Sequence, residues 1–288
     1  MRSVLIAGCG YLGQSTAALF HTAGWLVDAW TKSAASAKKL SQENYRIHAV
    51  DLTNLDEVSA REESFDVVIH CASTRGGAVD VYRQVYLDGV RNLLRRFSKS
   101  TVLLVGSTSV YGQMSGEWVT EESPAEPEHE RGRILRQAET LLLESGGIVA
   151  RLAGIYGPGR SYLLQRFLAG EAIIDSRNDR FINQVHRDDA ATALFILAER
   201  GPAEAGQIFN VADDQPLLQS DCYRWLAKRL DCAVPPEGKS TSTRKRGRSN
   251  KRVGNTKLRA LGWTPRYPNF AEAMEESILP SFLSKSPV

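Results

Sequence analysis

The sequence predicts an α/β fold, a doubly wound parallel sheet of Rossmann type carrying a small C-terminal α/β lobe. Three observations carry that expectation. Short apolar runs alternate with longer amphipathic ones through the first 150 residues, the pattern of βαβ units and of a parallel sheet covered on both faces. A glycine-rich turn joins the first apolar run to the first amphipathic one. The chain has 288 residues, enough for one large domain or for one domain plus a smaller lobe.

The elements follow in order. "SVLIAG" (3–8) predicts a buried strand and "YLGQSTAALFHTAG" (11–24) a helix ending at Gly24. Further strands are expected at 25–30, 45–52, 65–72, 101–107, 147–153 and 207–213. Helices are expected near 80–97 and 130–145, at 185–200 behind an aspartate pair, and at 220–230. After Pro158 the rhythm loosens, and "KSTSTRKRGRSNKR" (239–252) reads as a polar, basic loop. These patterns divide the chain into a dinucleotide-binding domain (1–158 and 184–212) and a substrate lobe (159–183 and 213–288).

Composition narrows the function classes. With 42% hydrophobic and 24% charged residues the chain is globular, and no apolar run approaches the roughly 20 residues that span a bilayer. A formal charge of +3 is too small to argue for a nucleic-acid partner. "IAGC" (6–9) imitates a lipoprotein cleavage box, but a secretory signal needs about 15–30 residues and only eight precede Cys9. The expected location is the cytoplasm. Cys9, Cys71, Cys222 and Cys232 show no CxxC and no zinc spacing, so reduced structural thiols and no metal are expected.

Gly8, Gly10 and Gly13 are spaced G-x-G-x-x-G between a strand and a helix, with Tyr11 and Leu12 inside the motif. One glycine permits the tight turn, one admits a pyrophosphate, and one lets helix and strand pack closely. The helix N-terminus offers free N–H groups to phosphate. At the end of the second strand an NAD-specific site places a carboxylate on the ribose 2′-hydroxyl. Asp28 falls three residues short of that place, and the tip reads Thr31, Lys32 and Ser33. Two hydroxyls and a cation suit a 2′-phosphate, so the expected cofactor is NADP(H), with NAD as the alternative. The plain alternative for Lys32 is a solvated side chain.

Further motifs in the same order resemble the extended short-chain dehydrogenase/reductase family, that of nucleotide-sugar epimerases and dehydratases. "VDL" (50–52) resembles the adenine contact, at Asp51 and Leu52, and "VIHCAS" (68–73) the segment along the cofactor, at Cys71, Ala72 and Ser73. "GSTSVYG" (106–112) is similar to the catalytic strand end, with Ser107 at the active hydroxyl. "RLAGIYGPG" (151–159), "VHRDD" (185–189), "FNVADDQP" (209–216) and "KLRALGWTPRYP" (257–268) match later landmarks. One motif fails. Anchoring on Gly132 and Glu139 puts Arg131 at the family's tyrosine and Leu135 at its lysine, and Tyr86 stands near the family's asparagine. The combination resembles an atypical subgroup that keeps the cofactor loop and lacks the catalytic pair.

In the intact family the tyrosine exchanges a proton with the substrate while hydride moves at the nicotinamide. A phenol titrates near about 10 and needs a neighbouring cation to act at neutral pH. Arg131 stays protonated and cannot replace it as a base, but it suits a developing oxyanion, a carboxylate or a phosphate. Leu135 lies on the apolar side of its helix with Ile134, Ala138 and Leu142. His129, Glu130, Tyr111 and Tyr156 are candidate substitutes, each with a plainer reading as a cap, a solvated residue or packing. Arg244, Lys245 and Arg246 lie where no acidic residue occurs between Glu237 and Glu272. They read as a solvated loop or as a clamp on a phosphorylated or nucleotide-linked substrate. A nucleic-acid patch is the weakest alternative, because no aromatics interleave. The resemblance implies an oxidoreductase, epimerase or dehydratase and a homodimer through the helices near 80–97 and 130–145. The missing pair leaves open a non-catalytic NADP(H)-binding sensor or regulatory protein.

Overall fold

Seven parallel strands form the central sheet of the computed structural model, which describes residues 1–74, 76–239 and 249–283. They are β1 (Ser3–Ala7), β2 (Leu26–Thr31), β3 (Arg46–Ala49), β4 (Val67–His70), β5 (Thr101–Ser107), β6 (Ile148–Leu152) and β7 (Ile208–Val211). Their order is β3-β2-β1-β4-β5-β6-β7, so the winding reverses between β1 and β4. In such sheets ligands bind outside the carboxyl ends of the strands at that reversal.

Alternate strand residues serve two cores. Val4 and Ile6 of β1 pack with Ala17 and Phe20 of the helix Tyr11–Thr22 and with Ala190, Leu194 and Leu197 of the helix Arg187–Arg200. Leu5 and Ala7 face the opposite core, with Trp30, Val68, Val90, Leu93 and Ile134. Burial on both faces explains why the strands read as continuous apolar runs. A third core gathers Tyr156, Leu163, Leu164, Cys222, Phe270 and Met274 from later segments.

Two expectations need correction. The helix expected near 80–97 is three pieces: Val79–Arg83, a π turn Gln84–Asp88, and Gly89–Arg96. His70 Nε2 donates to the Val85 carbonyl inside the wide turn at 2.8 Å. Gly89 sits so close beneath Leu52 that an added Cβ would lie 3.0 Å from it. The widened turn fits the helix around these two contacts. The basic stretch 239–252 is not loop throughout, because Lys251–Val253 forms a strand parallel to Glu117–Val119. Lys251 is buried, and its Nζ donates to the Tyr111 carbonyl at 3.0 Å and to Ser249 Oγ at 2.8 Å. Burial, reinforced by Arg180, lowers this amine to about 8. Arg244, Lys245 and Arg246 lie outside the described residues.

A buried charge pair ties the later strands together. Glu139, on the helix Glu130–Glu144, accepts from Arg151 Nε at 3.0 Å and Nη2 at 2.8 Å, and also pairs with Arg136. Arg151 of β6 donates onward to the Tyr111 hydroxyl at 2.8 Å, which donates to Asn210 Oδ1 of β7 at 2.9 Å. Removing one member leaves a buried charge without its partner. Glu139→Ala should therefore destabilise the fold by about 3–5 kcal/mol, whereas Glu139→Leu combined with Arg151→Met should recover most of the loss. Urea midpoints of the single and double variants check this, and strictly additive losses would contradict it.

Candidate functional site

At the reversal point the three glycines of the first turn have three different surroundings. Gly8 has φ +112°, and a Cβ there would lie 2.3 Å from the Ala72 nitrogen, so the segment Cys71–Ala72 beyond β4 presses directly on it. A Cβ on Gly13 would lie 2.2 Å from the Gly8 carbonyl oxygen, which is the close helix-to-strand approach. Around Gly10 nothing lies within 4 Å of an added Cβ. The helix that follows has neither a side-chain cap nor an acidic residue in its first turn. The space beside Gly10 at this uncapped, positive helix end fits the diphosphate of a dinucleotide. Leu12 is buried beneath the turn. Burial raises Cys71 and raises Cys9 to about 11, so neither thiol is a nucleophile at neutral pH.

The tip of β2 differs from its sequence expectation in one respect. Thr31 Oγ1 donates to the Ser33 carbonyl at 3.3 Å, and Ser33 Oγ caps the helix Ala34–Lys39 by accepting from Ser36 N–H. Lys32 is exposed, but its Nζ lies 3.1 Å from Asp51 Oδ2. A carboxylate thus reaches the tip from the neighbouring strand. The register pairs Thr31 with Ala49, and Val50 N–H donates to the Thr31 carbonyl at 2.8 Å, so Asp51 arrives beside Lys32. Burial opposes the charge on Asp51, but bonds from Thr53 and Lys32 outweigh it and hold the carboxyl below its usual range. Leu52 is buried and its carbonyl accepts from Asn92 at 3.0 Å, while Ser73 is exposed.

Asp28 plays no part in the tip. It is buried, receives Arg46 at 2.7 Å and lies 3.3 Å from His48 Nε2. Ligand atoms of Asp28, His48 and Glu63 lie within 4.8 Å of one another. Arg46 and Arg61 already neutralise the two carboxylates, and Arg61 donates to His48 Nδ1 at 3.2 Å, so this cluster is a balanced ion network.

Across the edge, Ser107 ends β5 with its Oγ accepting from Ser109 N–H at 3.2 Å, which leaves the hydroxyl proton to donate. Arg131 Nη2 donates to the carbonyls of Gly76 at 3.1 Å and Gly77 at 2.6 Å, and its Cζ lies 5.9 Å from the Tyr82 ring centre. Leu135 is buried in the core. Tyr86 stacks between His70 and Tyr82. The substitutes for the base take their plainer roles. His129 Nδ1 caps the helix Glu130–Glu144 by accepting from Gly132 N–H at 2.9 Å, and exposed Glu130 pairs with Arg83. Tyr111 belongs to the Arg151 network. Tyr156 is buried, and burial with the nearby Asp213 charge raises its phenol well above the ordinary value.

The family model of the NAD dependent epimerase/dehydratase family matches residues 4–212. The chain belongs to that family. Protein YeeZ of Escherichia coli (strain K12) is 28% identical over 282 residues, covering 93% of this chain and 97% of YeeZ. A provisional NAD-dependent epimerase/dehydratase from Methylobacillus flagellatus is 27% identical with a TM-score of 0.78, covering 99% of both chains. The dTDP-glucose 4,6-dehydratase of Bacillus anthracis, solved in complex with NAD, shares the fold at a TM-score of 0.82 and 16% identity, covering 99% of this chain and 97% of the other.

Two arginines in or beside the quoted motif segments have a placement that the sequence did not disclose. Arg160 follows the "YGPG" turn and Arg187 lies inside "VHRDD", and both guanidinium groups lie over Tyr11. Only a long-range contact reveals them. The glycine surroundings separate folding from binding. Gly13→Ala should destabilise by about 1–3 kcal/mol through the clash with the Gly8 carbonyl. Gly10→Ala should cost about 1 kcal/mol or less and weaken dinucleotide binding. Thermal unfolding and cofactor titration of both variants check this; equal effects on stability would refute the assignment.

Proposed function

We propose that the protein is an NADP(H)-dependent enzyme of the epimerase, dehydratase or reductase type, acting on a phosphorylated or nucleotide-linked substrate. The observation that supports it is a glycine cradle open at the same sheet edge as the free hydroxyl proton of Ser107. In this reading Gly10 to Gly13 receive the diphosphate, and Cys71, Ala72 and Ser73 flank the cofactor. Asp51 and Leu52 lie at the adenine end. Thr31, Lys32 and Ser33 meet the 2′-phosphate, with Lys32 exchanging Asp51 for the stronger anion. The bound nicotinamide supplies hydride transfer. Ser107 orients the substrate oxygen, and Arg244, Lys245 and Arg246 would meet substrate phosphates.

A second reading, a cofactor-binding sensor or regulator without turnover, is favoured by one observation. Arg131 is committed to two loop carbonyls, and the candidate bases His129, Tyr111 and Tyr156 are committed to caps or core. No group in that set is placed as a proton acceptor for substrate.

Binding comes first. NADPH should bind about tenfold more tightly than NADH, as one added charge-assisted contact implies, and Lys32→Ala should narrow the gap. Nicotinamide fluorescence titration measures both, and equal affinities in the wild type would overturn the NADP(H) assignment.

Turnover comes second. In hydride exchange from NADPH across sugar nucleotides and small carbonyls, Ser107→Ala should lower the rate about 10²-fold or more, the scale of one positioned acid–base or oxyanion group. Undiminished activity would remove Ser107 from the chemistry. Tight cofactor binding with no turnover on any substrate would support the sensor reading.

A further inference from the structure

We infer that Arg160 and Arg187 form a second, cationic wall of the glycine cradle and clamp the cofactor diphosphate from the side opposite the helix N-terminus. The inference rests on the reading that the cradle holds a dinucleotide, and it names two residues outside the glycine motif.

The geometry converges on Tyr11, the residue immediately after Gly10. Its hydroxyl donates to the Pro158 carbonyl at 3.1 Å, and a Cβ on Gly157, whose φ is +153°, would lie 2.7 Å from that hydroxyl. The turn Gly157–Arg160 is thereby pressed against the glycine loop. That turn is rigid, because Gly157 and Arg160 exchange both backbone hydrogen bonds at 2.9 Å. Arg160 leaves it with its Cζ 5.2 Å from the centre of the Tyr11 ring. Arg187 arrives from the start of the helix Arg187–Arg200 with its Cζ 5.0 Å from the same centre.

Two guanidinium groups held beside one ring repel each other, so their placement needs either a compensating anion or abundant solvent. Arg187 has part of that compensation. Its Nε donates to Asp188 Oδ1 at 2.9 Å, and the same oxygen accepts from Ser15 of the glycine-loop helix at 2.7 Å. Arg187 is thus oriented by a residue fixed to that helix. Arg160 is exposed and has no carboxylate within ion-pair distance among the described residues. The first turn of the helix likewise contains no acidic side chain. Asp188 offsets Arg187, but Arg160 and the helix end beside Gly10 have no anionic partner of their own among the described residues. A diphosphate carries two negative charges, and guanidinium forks match phosphate oxygens in geometry. The plain alternative is that both arginines only stack on Tyr11.

The two differ in what they predict for ligands of different charge. ADP-ribose keeps the diphosphate without nicotinamide, and adenosine has no phosphate. Arg160→Ala, at an exposed and unpaired position, should leave thermal unfolding unchanged and weaken ADP-ribose, NADH and NADPH by about tenfold or more. Adenosine should bind the wild type and the variant alike. Arg160→Lys should restore part of the affinity, and Arg187→Gln should weaken ADP-ribose further in combination with Arg160→Ala. The salt dependence of ADP-ribose binding should become shallower in each variant. Wild-type affinity for ADP-ribose in both Arg160→Ala and Arg187→Gln would overturn the clamp while leaving the cradle intact. Failure of the wild type to bind any of the dinucleotides or ADP-ribose would overturn the cradle reading and the clamp with it.

Discussion

The buried pair of Glu139 and Arg151 is the constraint that ties the helix Glu130–Glu144 to the later strands of the sheet. Its ends lie on the helix Glu130–Glu144 and on β6, and Arg151 passes the connection through the Tyr111 hydroxyl to Asn210 on β7. Tyr111 follows Ser107 across the short turn Thr108–Val110. Ion pairs at this depth are costly to assemble and more costly to break, and they hold a single arrangement because every partner is specified. The helix Glu130–Glu144 is therefore anchored to the sheet by a buried charge pair. Arg131 and Leu135 stand on a helix that Glu139 seats against the sheet.

Local chemistry was the most legible in the sequence. Seven strands and the principal helices follow from apolar periodicity, because β1, β4 and β6 are buried on both faces and cannot read as anything else. The role of Gly13 follows from spacing alone, since its close approach is to its own strand end. Leu135 was readable as core from the apolar face it shares with Ile134 and Ala138. Residues whose partners are distant in sequence were not legible. Asp51 meets Lys32 only because β3 lies beside β2. Lys251 looked like one more solvated cation of a basic run, yet it is buried against Tyr111, 140 residues earlier. The π turn at Gln84–Asp88 answers to His70 and Leu52, neither of them in the helix.

Burial removes chemistry from residues that the sequence makes plausible. Tyr111 and Tyr156 are phenols in motif segments, and both are driven upward in pKa by loss of water before any charge acts on them. A phenol that titrates above its ordinary value holds its proton throughout the physiological range. It can donate that proton in a hydrogen bond but cannot act as a base. His129 spends its Nδ1 lone pair on a backbone N–H, and Arg131 spends its donors on carbonyls. What remains is Ser107, whose oxygen accepts from Ser109 while its proton stays unassigned. A hydroxyl of that kind can donate a hydrogen bond without ionising.

Charge follows the same division between committed and open groups. Asp28, Arg46, His48, Arg61 and Glu63 form a network whose cations and anions match, and it leaves no charge over for a ligand. At the glycine loop the match fails. Arg160 has no acidic partner among the described residues, and the helix end beside it is positive as well. Tyr11 occupies the point where these positive groups meet, its hydroxyl bound to Pro158 and its ring beneath two guanidinium groups. In the proposed clamp, backbone N–H groups and guanidinium groups would flank the anion. The imbalance of charge therefore lies at the reversal of the sheet, where the winding of the strands had already opened a crevice.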